Sequence, residues 1–186
     1  MGSKKMKLNL GCGKDIIGEY INLDVIYVKG VDVICNLNCF PYPFKNDVFD
    51  EIYCNNILEH LNDVAKVMEE LHRIGKSKGR VVIRAPHFTS QYAFADPTHK
   101  HYFTYESFDY FVSANEMTSE FPDWYSYSYR KFKMLSKKII FSKGLLLPWN
   151  YMFEWLFNKM PKYYEGTFLR MFPAEQMIIV LEVVKR

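Results

Sequence analysis

The 186-residue sequence contains no CxxC motif, no HExxH motif, no internal repeat and no low-complexity tract. Its four cysteines, Cys12, Cys35, Cys39 and Cys54, all fall early and without a CxxC pair. That distribution argues for reduced thiols and against a disulfide framework. An excess of one charge is also missing: the formal net charge of +3 is too small to imply a nucleic-acid partner by itself. The longest apolar run, Gly144–Met160, carries Glu154 inside and falls short of the ~20 residues a membrane-spanning helix needs. No apolar signal core follows the first residues, so the sequence predicts no secretion and a cytoplasmic protein. Met6 stands where myristoylation requires Ser or Thr.

What is present describes a soluble globular chain, 49% apolar and 24% charged, of a length that suits one domain with a sizeable core. Aromatic residues are unevenly spread. Nine of the thirty-two lie in residues 1–93 and twenty-three in residues 94–186, which marks a change of task along the chain.

Short apolar segments bounded by Gly, Asn, Asp or Pro predict strands at Lys7–Leu10, Ile21–Asp24, Val31–Ile34, Glu51–Cys54 and Arg80–Ala85. Leu61, Val64, Ala65, Met68, Leu71 and Ile74 keep helical spacing, with Gly75 as the C-cap, and predict one long helix before the last of these strands. Strands alternating with helices argue for an α/β, doubly wound, mostly parallel sheet covered on both faces. In the later half, Tyr105–Ala114 is expected to be helical, and Phe132–Phe141 and Gln176–Val184 to be the last two strands. Gly144–Met160 is expected to be helical after Pro148 and packed over the sheet. Its basic rim, Lys143, Lys159 and Lys162, makes a peripheral membrane-surface helix the alternative.

The segment "LNLGCGKDIIGEYINLD" leaves the first strand through Gly11-Cys12-Gly13 and ends the second at Asp24. Glycine at such a turn admits left-handed backbone and close approach of a ligand. Ligands of open parallel sheets sit beyond the carboxyl ends of the strands, where an acid can accept both ribose hydroxyls. The dinucleotide fingerprint GxGxxG would need glycine at position 16, and Ile16 stands there, which counts against a NAD(P) enzyme. Glycine turn, acid and missing third glycine together suggest a nucleoside ligand without a pyrophosphate. The link is short, so the first crossover helix is expected to be one or two turns at most.

These segments resemble those of the class I S-adenosylmethionine-dependent methyltransferases, especially small stand-alone ones. "LNLGCGK" resembles their first motif, "INLD" their ribose-binding acid, and "CNLNCFPYPFKNDVFDEIYCNNILEHL" their run through the third and fourth strands. "GRVVIRAPHF" resembles their fifth strand and exit loop. The resemblance implies a Rossmann-like fold with a seven-stranded sheet and an aromatic-rich helical insertion or lid before the last strand. It implies one methyltransferase domain over 1–186: a cofactor core at 6–93, a substrate region at 94–175 and a final strand at 176–186. The implied cofactor is S-adenosyl-L-methionine. Leu10, Gly11, Cys12 and Gly13 would line its methionine end, Asp24 would hold the ribose, and Asn36 and Leu37 the adenine. Asn55 would hold the amino-acid part, and His60 is counted with this group. Two positions depart from the pattern: Asp15 replaces a usual glycine, and Asn36 a usual aspartate.

Methyl transfer from a sulfonium asks the protein mainly to orient and desolvate the reactants, and an oxygen or nitrogen acceptor also needs a base. Candidates lie in "PHFTSQYAFADPTHKHYFTYESF": His87 after the fifth strand, then Asp96, His99 and His101. The alternative is that these histidines brace the loop. The same residues are conceivable metal ligands, but the ligand spacing argues for no metal. Glu59, ahead of the long helix, is read as a cap that meets its backbone donors and dipole. The expected function is methyl transfer to a small or medium-sized acceptor. An RNA methyltransferase is the second reading, motivated by the basic, aromatic "YRKFKMLSKK" and the "SKKMK" start. A non-catalytic interaction module is the third, motivated by Asp15 and Asn36.

Overall fold

The structure, a computed structural model, describes residues 5–112, 132–143 and 149–185. Seven strands form one mixed sheet: β1 (Lys7–Leu10), β2 (Ile21–Asp24), β3 (Val33–Ile34), β4 (Phe49–Asn55), β5 (Gly75–Pro86), β6 (Phe132–Ile140) and β7 (Gln176–Val183). Their order across the sheet is β3-β2-β1-β4-β5-β7-β6. β1 pairs in parallel with both β2 and β4, and β4 with β5, whereas β7 runs antiparallel to β5 and β6. The reversal of order at β1 puts the ends of β1, β2 and β4 side by side, the place where open α/β sheets bind ligands.

α1 (Val64–Ile74) connects β4 to β5. It starts at Asp63, whose side chain accepts the Lys66 amide at 3.0 Å, and ends at Gly75. Val67, Met68, Leu71 and Ile74 are fully buried beside Ile52, Val81 and Ile83 of the sheet. Each such side chain contributes about 1.5–3 kcal/mol. The predicted helix thus begins three residues late, because Leu58–His60 forms a separate 3-10 turn whose C-cap is Leu61.

Double coverage by crossover helices does not occur at this end of the sheet. Among the described residues, turns and loops carry the chain from β1 to β2, from β2 to β3 and from β3 to β4. Two buried asparagines take the place of the first helix. Asn9 donates to Asn22 Oδ1 (3.0 Å) and to the Asp15 carbonyl (2.7 Å). Asn22 accepts the Ile17 amide and donates to the Ile17 and Tyr20 carbonyls. Side-chain amides thereby satisfy a loop too short to satisfy itself as a helix.

The expected helix at Tyr105–Ala114 is instead a run of turns ending in a 3-10 turn at Asp109–Phe111, with residues 113–114 outside the described part. There the Ser107 hydroxyl accepts the Thr104 amide and competes with helical pairing. α2 (Gln91–Ala95) is short; α3 (Trp149–Lys159) and α4 (Pro161–Gly166) build a second core with Ile139, Phe141, Phe157, Tyr164 and Ala174. Residues 144–148 of the predicted apolar helix lie outside the described part. α3 is covered on one face only: Glu154 and Phe157 are buried, while Trp149, Tyr151, Met152 and Trp155 are exposed. No helix among the described residues is long and apolar enough to cross a membrane.

Candidate functional site

At the carboxyl end of β1 the chain turns through Gly11 (φ +66°) and Gly13 (φ +51°). A Cβ on Gly11 would lie 2.3 Å from Ile57 Cγ1, so the turn is packed on one side. Around Gly13 a Cβ would meet nothing within 4 Å, so the turn is open on the other. The Gly13 amide donates to Asp24 Oδ2 at 2.8 Å, and the Ile26 amide to Asp24 Oδ1 at 3.0 Å. Asp24 is thereby aimed along the strand ends. Val25, Ile26 and Tyr27 follow it as an exposed apolar rim. On the other side of the turn, Asn55 at the end of β4 donates to Asp15 at 3.4 Å, and its side-chain Oδ1 is buried without a partner among the described residues.

The predicted residues of this crevice do not all present side chains to it. Asp24 and Asn55 do, while Gly11 and Gly13 contribute backbone only. Leu10 is fully buried within the sheet, and Leu37 is in the core with its carbonyl accepting from Tyr42 OH at 3.0 Å. Cys12 is also buried; burial first, and then Asp24, push its thiol above the ordinary value. Asn36 is exposed and closes its own turn by accepting the Asn38 amide.

Next to β4 and the exit of β5 lies a cavity of about 730 Å³, lined in part by Asn56, Glu59, His60, Tyr92, Asp96 and His99. The loop after α2 is folded onto the Leu58–His60 turn. The Glu59 carbonyl accepts the Lys100 amide at 2.7 Å, and the Leu61 carbonyl accepts from His101 Nε2 at 2.8 Å. This clamp carries His99 to His60, their ring centroids 4.6 Å apart at 70°.

Glu59 does not act as a helix cap. It is 1% exposed, neither carboxylate oxygen has a hydrogen-bond partner among the described residues, and Asp63 caps α1 instead. Burial pushes its carboxyl up to about 7, against a weaker opposing pull from its own backbone and His99. Burial, and then His99, hold the His60 imidazole below the ordinary value.

Of the candidate bases, the structure brings His99 and Asp96 to the cavity and separates the other two. His87 is 0% exposed, held between Thr89 Oγ1 at Nδ1 (2.8 Å) and Glu165 Oε1 at Nε2 (2.8 Å), where it ties the exit of β5 to α4. His101 is a loop brace, as above. Asp96 turns inward on its own loop, accepting both the amide and hydroxyl of Thr98. The sequence reading missed Glu59 as an unpaired acid, and no pattern signals it. It also missed the Val25–Tyr27 rim, which an apolar triplet directly after a strand-end acid does signal.

Residues 8–83 match the family model described as a methyltransferase domain. An uncharacterized protein of Methanocaldococcus jannaschii is 33% identical over 88 residues, covering 41% of this chain and 38% of that relative. The match therefore spans well under half of that relative's length. Among solved structures, an S-adenosylmethionine-dependent methyltransferase from Archaeoglobus fulgidus superposes with a TM-score of 0.60 at 16% identity, covering 97% of this chain and 86% of that one. A putative methyltransferase from Bacillus halodurans gives 0.59 at 10% identity, covering 100% and 95%. The [4+2]-cyclase SpnF gives 0.57 at 12%, covering 100% and 77%. The shared fold thus also occurs in a protein named for a different reaction.

Proposed function

We propose that the chain is a class I S-adenosylmethionine-dependent methyltransferase that transfers methyl to an oxygen or nitrogen of a small or medium-sized acceptor held in the cavity beside β4. S-adenosylmethionine is the cofactor of that family, and when bound it supplies an electrophilic methyl on a sulfonium. The residues at the strand ends fit it: the open side of Gly13, the Asp24 carboxylate and the buried unpaired Asn55 oxygen are what a ribose and an ammonium need. Asp24 would accept the ribose hydroxyls and the Val25–Tyr27 rim would cover a base, with Asn36 at its edge.

The observation that carries the reading is the Gly13–Asp24 pairing on the same sheet edge as the cavity. The protein's part in the displacement is to align acceptor and methyl, exclude water and hold the acceptor's proton. We place the chemistry at the Glu59–His60–His99 cluster, with Asp96 a positioning residue that acts through Thr98. His87 and His101 support the surrounding loops. The described portion of residues 94–175 supplies one wall of the cavity and is proposed as the acceptor region.

A small acceptor is favoured over RNA because the basic segment of β6 is partly engaged. Lys137 is ion-paired with Asp109 at 2.6 Å and lies 4.1 Å from the Tyr105 ring centroid, and Lys138 pairs with Glu154 at 2.9 Å. Residues 129–131 lie outside the described part. A peripheral membrane contact through α3 has one supporting observation, the exposed Trp149, Met152 and Trp155; co-sedimentation with anionic vesicles tests it. Incubation with labelled methyl donor and cell extract, followed by separation into lipid, glycan, RNA and small-molecule pools, tests the main reading. Label confined to the RNA pool would replace the small acceptor by RNA; label in no pool would favour a non-catalytic module.

A further inference from the structure

Among the described residues, the polar atoms on one wall of the cavity form a set of acceptors without a donor. One atom each from Glu59, His60 and His99 lie within 4.8 Å of one another. His99 Nδ1 is 2.9 Å from the Ala93 carbonyl, which can only accept, so Nδ1 carries the proton and Nε2 a lone pair. His60 Nδ1 is 2.9 Å from Thr98 Oγ1, whose own proton goes to Asp96 Oδ1 at 2.7 Å. The threonine oxygen therefore accepts from His60, and the nitrogen left on that ring is again Nε2. Glu59 adds two buried oxygens, neither with a partner among the described residues. A single proton satisfies one pair in such a group; a divalent cation satisfies all three.

We propose that Glu59, His60 and His99 bind one divalent cation of the class that accepts imidazole together with carboxylate, such as Mn²⁺, Co²⁺ or Zn²⁺. Both imidazoles already have the outer-shell support such ligands require, His99 through a backbone carbonyl and His60 through Thr98 to Asp96. Three protein ligands leave coordination positions open towards the cavity. A hydroxyl oxygen is the acceptor group that would complete the shell, which narrows the acceptor to an alcohol or phenol. That narrowing rests on the methyl-transfer reading; cation binding does not.

The test is titration of untagged, chelator-stripped protein with Co²⁺, read by visible absorption and by calorimetry, with S-adenosylhomocysteine affinity measured on the same sample. The expected result is one saturable site per chain with imidazole-type absorption. Glu59→Gln and His99→Ala should each weaken it at least tenfold. Thr98→Val, on the exposed loop and so no threat to folding, should weaken it about 10–100-fold by releasing His60. No saturable site, or a site indifferent to His99→Ala and Thr98→Val, overturns the proposal. S-adenosylhomocysteine binding without Co²⁺ binding would sink the cation and leave the methyl-transfer reading standing. Co²⁺ binding without S-adenosylhomocysteine binding would do the reverse.

Discussion

The Gly13 amide and the Asp24 carboxylate, eleven positions apart in sequence, meet at 2.8 Å across the ends of β1 and β2. Together with the Ile26 amide on Oδ1, this contact ties the turn to β2 and aims the acid. Asp24→Ala should abolish the thermal shift produced by S-adenosylhomocysteine, while Asp24→Asn, which keeps one acceptor oxygen, should retain part of it. An unchanged shift in Asp24→Ala would remove the acid from the cofactor site.

Gly11 is the packed side of the same turn. In Gly11→Ala the new methyl would collide with Ile57 Cγ1 at 2.3 Å in a left-handed backbone that alanine resists. A loss of about 1–3 kcal/mol is expected from urea unfolding. Adding Ile57→Ala to Gly11→Ala should recover part of the loss by opening space. No recovery would mean that backbone strain, and not the clash, dominates.

Acid stability should depend on Glu70 and Arg73. Arg73 donates two bonds to Glu70 at 2.7 Å and others to the Phe44 and Tyr42 carbonyls, and Glu70 also accepts the Tyr42 amide. Burial by itself would raise the Glu70 carboxyl, but these bonds and the guanidinium charge outweigh it and hold it below its ordinary value of 4.5. A lowered carboxyl stabilises the fold fully above 4.5 and loses that contribution as pH falls through the folded-state value. Glu70→Gln should therefore flatten the acid limb of the stability–pH curve and cost about 1.5–3 kcal/mol at neutral pH. An acid limb identical to wild type would count against it.

The Glu165 carboxylate joins two distant parts of the chain, accepting from His87 Nε2 and from the Tyr105 amide at 2.7 Å. Glu165→Ala leaves a buried imidazole and a partly buried amide without this acceptor, so a loss of about 1–3 kcal/mol is expected. Glu165→Gln, which still offers a carbonyl oxygen, should lose less. Equal midpoints for the two variants would show that shape, and not hydrogen bonding, holds α4 to the exit of β5.

The strands and α1 were legible because burial imposes a period on sequence: "INLD" and "RVVIRA" read as strands, and Val67, Met68, Leu71 and Ile74 as one helical face. The glycine turn and Asp24 were legible for a related reason, since backbone permissiveness and a strand-end acid are local properties. The long-range polar contacts left no comparable trace. Whether His87 is a base or a buried clamp depends on Glu165, 78 positions away. Whether Glu59 is a cap or an unpaired acid depends on how the loop carrying His99 folds back onto its turn.

Sequence alone therefore determined the strands, α1 and the strand-end turn that carries Gly13 and Asp24, because periodicity and turn chemistry act over a few residues. Tertiary structure alone decided which histidines are scaffold, which face the cavity, and that Glu59 has no donor among the described residues. A titratable side chain takes its role from neighbours the chain supplies from elsewhere.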